Sequence, residues 1–194
     1  DLTVTRGLTT TFAKAFSAEN FTQTAGQTAT NFQGLIDVST AFDFNGAALT
    51  ITGAGTNDID GTMSITNSGT FTLDELSLLT VGTLTQDGTG SNVIGDDITA
   101  DIGGITFAET VTLTSGTAGD TIVFTTSADS QAINFDDTGN SILIADDENL
   151  TLVAGNAGAN SGNIGVDGVV NFGTAGDLTV TRGLTTTFAK AFSA

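Results

Sequence analysis

The stretch DLTVTRGLTTTFAKAFSA occupies residues 1–18 and returns letter for letter at residues 177–194, an offset of 176 residues. Self-similarity at a fixed period is the sequence signature of a repeat array. Since eighteen identical residues do not recur by chance, we interpret residues 1–176 as one full tandem repeat and residues 177–194 as the start of the next. We therefore expect the chain to be a window from a longer polypeptide that repeats this unit. The two copies are expected to share one backbone and to occupy equivalent positions in the array.

The same stretch contains the pattern that dominates the rest of the chain, a short alternation of apolar and polar residues such as LTVT at residues 2–5. Period-two alternation is typical of a half-buried strand, with apolar side chains inward and Thr outward. We expect the Thr side chains to be exposed. The residues expected to point inward are Leu2, Val4, Leu49, Ile51, Phe71, Leu73, Ile105, Phe107, Val111, Leu113, Leu150 and Leu152.

Turn-forming residues separate these short runs. The dipeptides Asn45-Gly46, Asp60-Gly61, Asp87-Gly88 and Asp167-Gly168 are turn signals. No segment sustains apolar residues at helical spacing; the nearest candidate, residues 12–21, has Thr and Ser on all sides and is interpreted as strand and corner. The chain is therefore predicted to be all-β.

The number and shortness of the runs favour a solenoid over a sandwich or a barrel. Strands of four or five residues are short for a sandwich, and no Pro-rich or charge-rich linker interrupts the repeat. In stacked coils each strand is paired by the next coil, so only the ends of the array expose an edge. At roughly 20–25 residues a coil, one 176-residue repeat is expected to make about 7–9 coils.

Three segments carry a family resemblance: GDLTVTRGLTTTF at 176–188, GDDITADIGGITFAETVTLTSGTAGDTIVF at 95–124 and ADDENLTLVAGNAGANSGNIGVDGVVNFG at 145–173. They resemble the filamentous-haemagglutinin-like repeats of very large secreted bacterial surface proteins, including autotransporter passenger domains. The resemblance implies a right-handed parallel β-helix, export across an outer membrane, and a role in adhesion, matrix or fibre formation. One feature departs from that family, because its repeats usually differ between copies and these are identical where both are seen.

Composition excludes several classes of function. The chain has 22 acidic and 4 basic residues, a net charge of −18, and no His, Cys, Pro, Trp or Tyr. Such a surface repels nucleic acids and anionic membranes, and no apolar run is long enough for a transmembrane helix. Without His the usual general base and the commonest metal ligand are missing. We expect this segment neither to bind nucleic acid nor to insert into a membrane.

Carboxylate pairs are the candidate ligands for a metal. Asp96-Asp97, Asp136-Asp137 and Asp146-Asp147 are pairs of hard oxygen donors, the kind of ligand that Ca²⁺ prefers. The competing interpretation is that they are solvated turn residues, and the sequence leaves both open. No other cofactor is expected.

These observations predict a structural segment of a long secreted β-solenoid fibre at the bacterial cell surface or in the extracellular matrix. Its partners would be further copies of the repeat in the same chain and, laterally, other fibres. The alternatives are the stalk of an adhesin whose ligand-binding tip lies elsewhere and, more remotely, a polysaccharide-acting β-helix enzyme. Catalysis is not expected, because sugar sites usually add aromatic stacking platforms and positive groups, and the 176-residue unit has no Trp, no Tyr and only two cations. Ice binding through Thr-x-Thr is disfavoured by irregular intervals of 19, 28 and 62 residues.

Overall fold

The chain is all-β, as predicted. The computed structural model describes residues 1–26, 28–137, 139–145, 147–156, 161–190 and 192–193, and within these residues it contains no helix. All pairs between its named strands are parallel. The strands are β1 (Leu2–Val4), β2 (Thr9–Phe12), β3 (Phe16–Gln23), β4 (Ala29–Phe32), β5 (Ile36–Gly46), β6 (Ala48–Ile51), β7 (Asn57–Asn67), β8 (Phe71–Leu73), β9 (Leu79–Gln86), β10 (Asn92–Ile94), β11 (Ile98–Ala100), β12 (Ile105–Phe107), β13 (Val111–Leu113), β14 (Thr121–Thr126), β15 (Ile133–Phe135), β16 (Asn140–Ile144), β17 (Asn149–Ala154), β18 (Asn163–Val166), β19 (Val169–Phe172), β20 (Asp177–Arg182), β21 (Thr185–Phe188) and β22 (Phe192–Ser193).

The strands form three parallel ladders. The first ladder contains the beginnings of β3, β5, β7 and β9, followed by β11, β14, β17 and β20. The second contains β1, the ends of the same four strands, and then β12, β15, β18 and β21. Because β3, β5, β7 and β9 run through both, these two ladders form one 13-stranded sheet. The third ladder is the nine-stranded sheet of β2, β4, β6, β8, β10, β13, β16, β19 and β22.

The chain visits the ladders in a fixed order: first, second, third, then first again. Paired residues are 19 positions apart at Leu2 and Phe21, and 21 apart at Phe42 and Met63. The separation grows to 31 residues between Ile133 and Ile164 and returns to 22 between Ile164 and Thr186. The expected spacing of roughly 20–25 residues therefore fits the pairs near both ends, and longer loops widen those between them.

Two of the four predicted turns lie inside strands. Asp87-Gly88 and Asp167-Gly168 fall between strands as expected, whereas Asn45-Gly46 ends β5 and Asp60-Gly61 lies within β7. At Asp60-Gly61 the strand passes from the first ladder to the second without breaking, and its register against β9 shifts there. A Cβ atom on Gly61 would collide with the Thr40 carbonyl oxygen, so glycine is required for close approach rather than for a turn.

The inward register is confirmed. Leu49, Ile51, Phe71 and Leu73 are fully buried, as are the later members of the predicted set, while Leu2 and Val4 pack partly buried against the core. The prediction that the intervening Thr side chains are exposed holds for Thr3, on the terminal strand β1, and is wrong for four others, which are half-buried: Thr72, Thr106, Thr112 and Thr151. Each of these four is flanked by an outward residue on the adjacent strand at either side.

Most phenylalanine side chains lie in the interior or pack against it, with Phe192 exposed. Phe12 stacks on Phe32 with ring centroids 4.5 Å apart, and Phe21 stacks on Phe42 at 4.6 Å. A second group contains Phe107, Phe124 and Phe135, with centroids about 6 Å apart. Offset and stacked aromatic pairs add to the stabilisation from burial itself.

The two copies of the 18-residue stretch form the same strands on different ladders. TTTF is a strand in both copies, β2 and β21, but β2 belongs to the third ladder and β21 to the second. Likewise β1 lies in the second ladder, whereas β20 lies in the first. The predicted equivalence therefore holds for the strands and fails for their positions. From β1 to β20 the chain takes 23 steps from ladder to ladder, and 23 is one short of a multiple of three.

Candidate metal centres and buried polar groups

Asp96 and Asp97 lie between β10 and β11, where the chain passes from the third ladder to the first. Asp97 Oδ1 accepts a hydrogen bond from the Val123 N–H over 2.7 Å, and Asp96 Oδ1 accepts one from the Asp97 N–H over 2.8 Å. Burial raises the pKa of Asp97, the Val123 hydrogen bond lowers it, and the Asp96 charge raises it further, with a net increase. Asp96 therefore binds the backbone of this corner, and Asp97 binds the backbone of the neighbouring strand β14.

Asp136 and Asp137 follow β15, between the second ladder and the third. Asp137 accepts hydrogen bonds from the Gly139 N–H and from Thr110 Oγ1, each over 2.7 Å. The pKa of Asp136 is raised by partial burial and by the charge of Asp167. Asp137 therefore binds the backbone of its own corner and also Thr110, which directly precedes β13.

The third pair is described only in part. Asp146 lies outside the described residues, and Asp147 is exposed with a left-handed backbone (φ 64°). The Asp147 carbonyl oxygen accepts a hydrogen bond from the Gly119 N–H over 2.6 Å. Within the described part of the chain, no group of three or more His, Cys, Asp or Glu side chains is placed to hold a metal ion. A Ca²⁺ site at any of the six aspartates stays a prediction.

Beside Asp96 lies a small hollow of about 120 Å³, lined among others by Glu75, Asp120 and Ser115. Ser115 is hydrogen-bonded to the buried carboxylate of Glu148, which accepts from both the Ser115 N–H (3.0 Å) and Oγ (2.7 Å). Sequence alone presents Glu148 as the third acid of an exposed run. Its position directly before β17, where its side chain turns inward, gives it a structural role instead.

A network of buried amide side chains around Gln86 was not predicted from the sequence. Gln86, fully buried at the end of β9, donates from Nε2 to Asn67 Oδ1 (2.8 Å) and to the carbonyl oxygens of Gly88 and Gly90. Its Oε1 accepts from the Ala108 N–H at 3.2 Å. Such groups satisfy the backbone where the chain turns from the second ladder to the third, because a buried polar group left unpaired is costly. The alternation places Gln86 on the inward side, which is the one signal that marks it.

A groove of about 340 Å³ runs along the ends of β3, β5, β7 and β9, where each strand passes to the third ladder. Its lining includes Asn45, Thr66, Asn67 and Asp87, and Thr66 Oγ1 donates to Asp87 Oδ1 over 2.6 Å. Among its lining residues Asp87 is the one carboxylate, and its hydrogen bond with Thr66 gives the groove a single hydroxyl–carboxylate pair.

Acidic residues also stack along the first ladder. Asp37 and Asp58 are partners on adjacent strands. The pKa of Asp58 is raised by partial burial and by the charges of Asp60, Asp37 and Asp101. Alternation predicted that these side chains point outward, but only the pairing of β5 with β7 brings them side by side.

Comparisons of the chain with protein-family models, with curated proteins and with solved structures find no match. The described residues include no helix long and apolar enough to cross a membrane.

Proposed function

We propose that the chain is a structural segment of a long, secreted, repetitive β-solenoid fibre at the bacterial cell surface or in the extracellular matrix. The observation that carries the proposal is the combination of parallel ladders that run unbroken from β1 to β20 with identical sequence at the two ends of the chain. The terminal strands of each ladder have a free edge, and a free edge is a template for pairing with the next strand.

The fold proposed for this segment is a three-sided, right-handed parallel β-helix. Two features support closure of the ladders around a common interior. The chain visits the three ladders in an unvarying order, and buried residues from all three belong to a single hydrophobic cluster. Right-handed crossover between parallel strands is the strongly preferred hand.

The dimensions follow from the ladder count. Twenty-three steps over 176 residues correspond to 7⅔ turns of a three-sided coil, or about 23 residues a turn. At about 4.8 Å between paired strands, each repeat would lengthen the fibre by about 37 Å. Composition supports a soluble polymer, because residues 1–176 have 21 acidic and 2 basic side chains once Asp177, Arg182 and Lys190 are left out. The resulting charge of −19 opposes aggregation.

The test is a series of chains with one, two and three copies of residues 1–176, examined by small-angle scattering and electron microscopy. The proposal expects the particle length to grow by about 37 Å a copy at constant cross-section. Separate globules joined like beads, or a length that does not grow with copy number, would overturn it.

A further inference from the structure

Charge is distributed unevenly over the three ladders. The nine strands of the third ladder contain no Asp, Glu, Lys or Arg in their described sequence, although the chain has 22 acidic residues. The acids closest to this ladder lie in the connections that precede or follow its strands: Asp74, Asp96, Glu109, Asp137 and Asp167. The third ladder is therefore an uncharged surface whose rim is acidic along its middle, with Arg6 and Lys14 on either side of β2 and Lys190 before β22.

The outward side chains of this ladder form one continuous row. Thr50, Thr72, Val93, Thr112, Leu143 and Asn171 are successive partners on adjacent strands, and each is half-buried. We call this row the neutral strip. Its side chains are short or apolar, so the strip presents methyl groups, hydroxyls and the Asn171 amide.

We propose that the neutral strip is the surface through which this chain associates laterally with a second copy of itself. Two copies, each of net charge −18, repel one another wherever carboxylates meet, and the strip is the ladder on which they do not. A cationic partner would instead bind the other two ladders, where Glu19, Asp37, Asp43, Asp58 and Asp60 lie in the strands. A nucleic acid or an anionic membrane presents negative charge over its whole contact surface, whereas a second copy can place its own uncharged ladder against the strip.

The area explains how strong the contact should be. Nine strands at about 4.8 Å and three to four residues at about 3.3 Å give roughly 500 Å² per partner, or about 1,000 Å² in total. That is the lower limit for a specific interface, so single chains should associate weakly. In an array, which this step takes from the proposed function, the contacts would add by multivalency.

The one-ladder offset between repeats determines which way each neutral strip faces. Since the second copy of the 18-residue stretch is moved by one ladder, the neutral strips of successive repeats would face three directions in turn. A fibre would then contact neighbours on three sides, which gives a network in place of a pair.

The test uses the 194-residue chain itself in sedimentation equilibrium, from low salt to about 1 M NaCl, where the Debye length falls to about 3 Å. The matched variants are Thr72→Asp in the neutral strip and Thr85→Asp, an equally half-buried outward Thr of the second ladder. We expect a dimer that strengthens with salt, about tenfold weaker association for Thr72→Asp at low salt, and little change for Thr85→Asp. Far-UV circular dichroism checks that both variants fold.

Three outcomes would overturn the proposal: a chain that stays monomeric at every salt and protein concentration, association that both variants weaken equally, or association that neither changes. Binding to anionic vesicles that Thr72→Asp removes, without self-association, would assign the strip to a membrane and also overturn it. Failure of the proposed function is a separate result, because it would show as tandem copies that do not lengthen, whether or not the single chain dimerises.

Discussion

Leu2 and Leu178 are the same position of one 18-residue stretch, yet Leu2 pairs with Phe21 in the second ladder and Leu178 pairs with Leu150 in the first. Both are partly buried against the core, so the sequence tolerates either ladder. This is physically reasonable because the ladders share one demand, an apolar residue at every second position. Identity of sequence therefore fixes the strands without fixing the ladder that receives them.

The offset can be tested by disulfide formation, since the chain has no cysteine of its own. Thr151 and Thr179 are partners on β17 and β20, so the double variant Thr151→Cys/Thr179→Cys should oxidise readily. Adjacent parallel strands place Cα atoms about 4.8 Å apart, within the range that a disulfide spans. Mass spectrometry of the oxidised chain measures the yield.

The matched control is Gly165→Cys/Thr179→Cys. Gly165 lies in the outward row of the second ladder, and it would be the neighbour of Thr179 if the second copy occupied the same ladder as the first. Cross-linking of the control pair in place of Thr151→Cys/Thr179→Cys would show that the copies are equivalent and that no offset exists.

The buried amides give a prediction on stability. Gln86→Leu keeps the approximate size of the side chain but removes the partner of Asn67 Oδ1 and of the Gly88 and Gly90 carbonyl oxygens, whereas the Ala108 N–H keeps the Gln86 carbonyl oxygen as its acceptor. Because each buried polar group left unpaired costs about 1–3 kcal/mol, the free energy of unfolding should fall by on the order of 3 kcal/mol. Chemical denaturation monitored by far-UV circular dichroism measures the change.

Gln131→Leu is the control for that variant, because the Gln131 amide donates to Asp129 O at an exposed site. It should change the free energy of unfolding by less than about 0.5 kcal/mol. If the two Leu variants unfold at the same denaturant concentration, water replaces the amide network without loss and the structural role of Gln86 is wrong.

Residues 71–73 and Gln86 show what the sequence predicts about burial and what it does not predict about hydrogen bonding. Phe71, Thr72 and Leu73 follow the alternation, and burial agrees with it, because a parallel strand with one buried face has only two sides to choose between. Gln86 follows the same alternation, but its hydrogen-bond partners Asn67 and Ala108 are distant in sequence and are brought to it only by strand pairing.

The corners were the least predictable part. Asp60-Gly61 has the composition of a turn, yet it continues β7, since the need there is close approach to Thr40. Asp96-Asp97 has the composition of a cation ligand, yet Asp97 binds the Val123 N–H. Composition marks a corner in both cases, and the three-dimensional neighbours decide what the corner does.

Asp58 gives a prediction on pH. Its pKa is raised from the ordinary value of 3.8 by burial and by Asp60, Asp37 and Asp101. Between pH 3.8 and the raised pKa, the folded protein therefore binds more protons than the unfolded chain, and the free energy of unfolding should fall as the pH rises through this range. The cost is fully present above the folded pKa and disappears below the unfolded value.

Asp58→Asn should accordingly stabilise the protein at pH 7 and lose that advantage at about pH 3, where Asp58 is protonated in both states. Urea denaturation at the two pH values measures this. Asp43→Asn, which removes an exposed outward carboxylate of the second ladder, is the control for the loss of one negative charge. A variant less stable than the parent at pH 7 would contradict the unfavourable stacking of Asp37 and Asp58.

The last prediction concerns divalent cations and the cohesion of the proposed fibre. A charge of −19 over about 37 Å is roughly one negative charge every 2 Å, so lateral contact is opposed at low salt. Ca²⁺ can bridge carboxylates on facing rims, and millimolar Ca²⁺ should cause bundling beyond that of Na⁺ at equal ionic strength, seen by electron microscopy and light scattering. Chelation should return single fibres of unchanged length and circular dichroism, because covalent continuity and strand pairing hold each fibre together. Fibres that separate into 176-residue units or globules on chelation would show that metal ions make the polymer, and the continuous-chain proposal would fail.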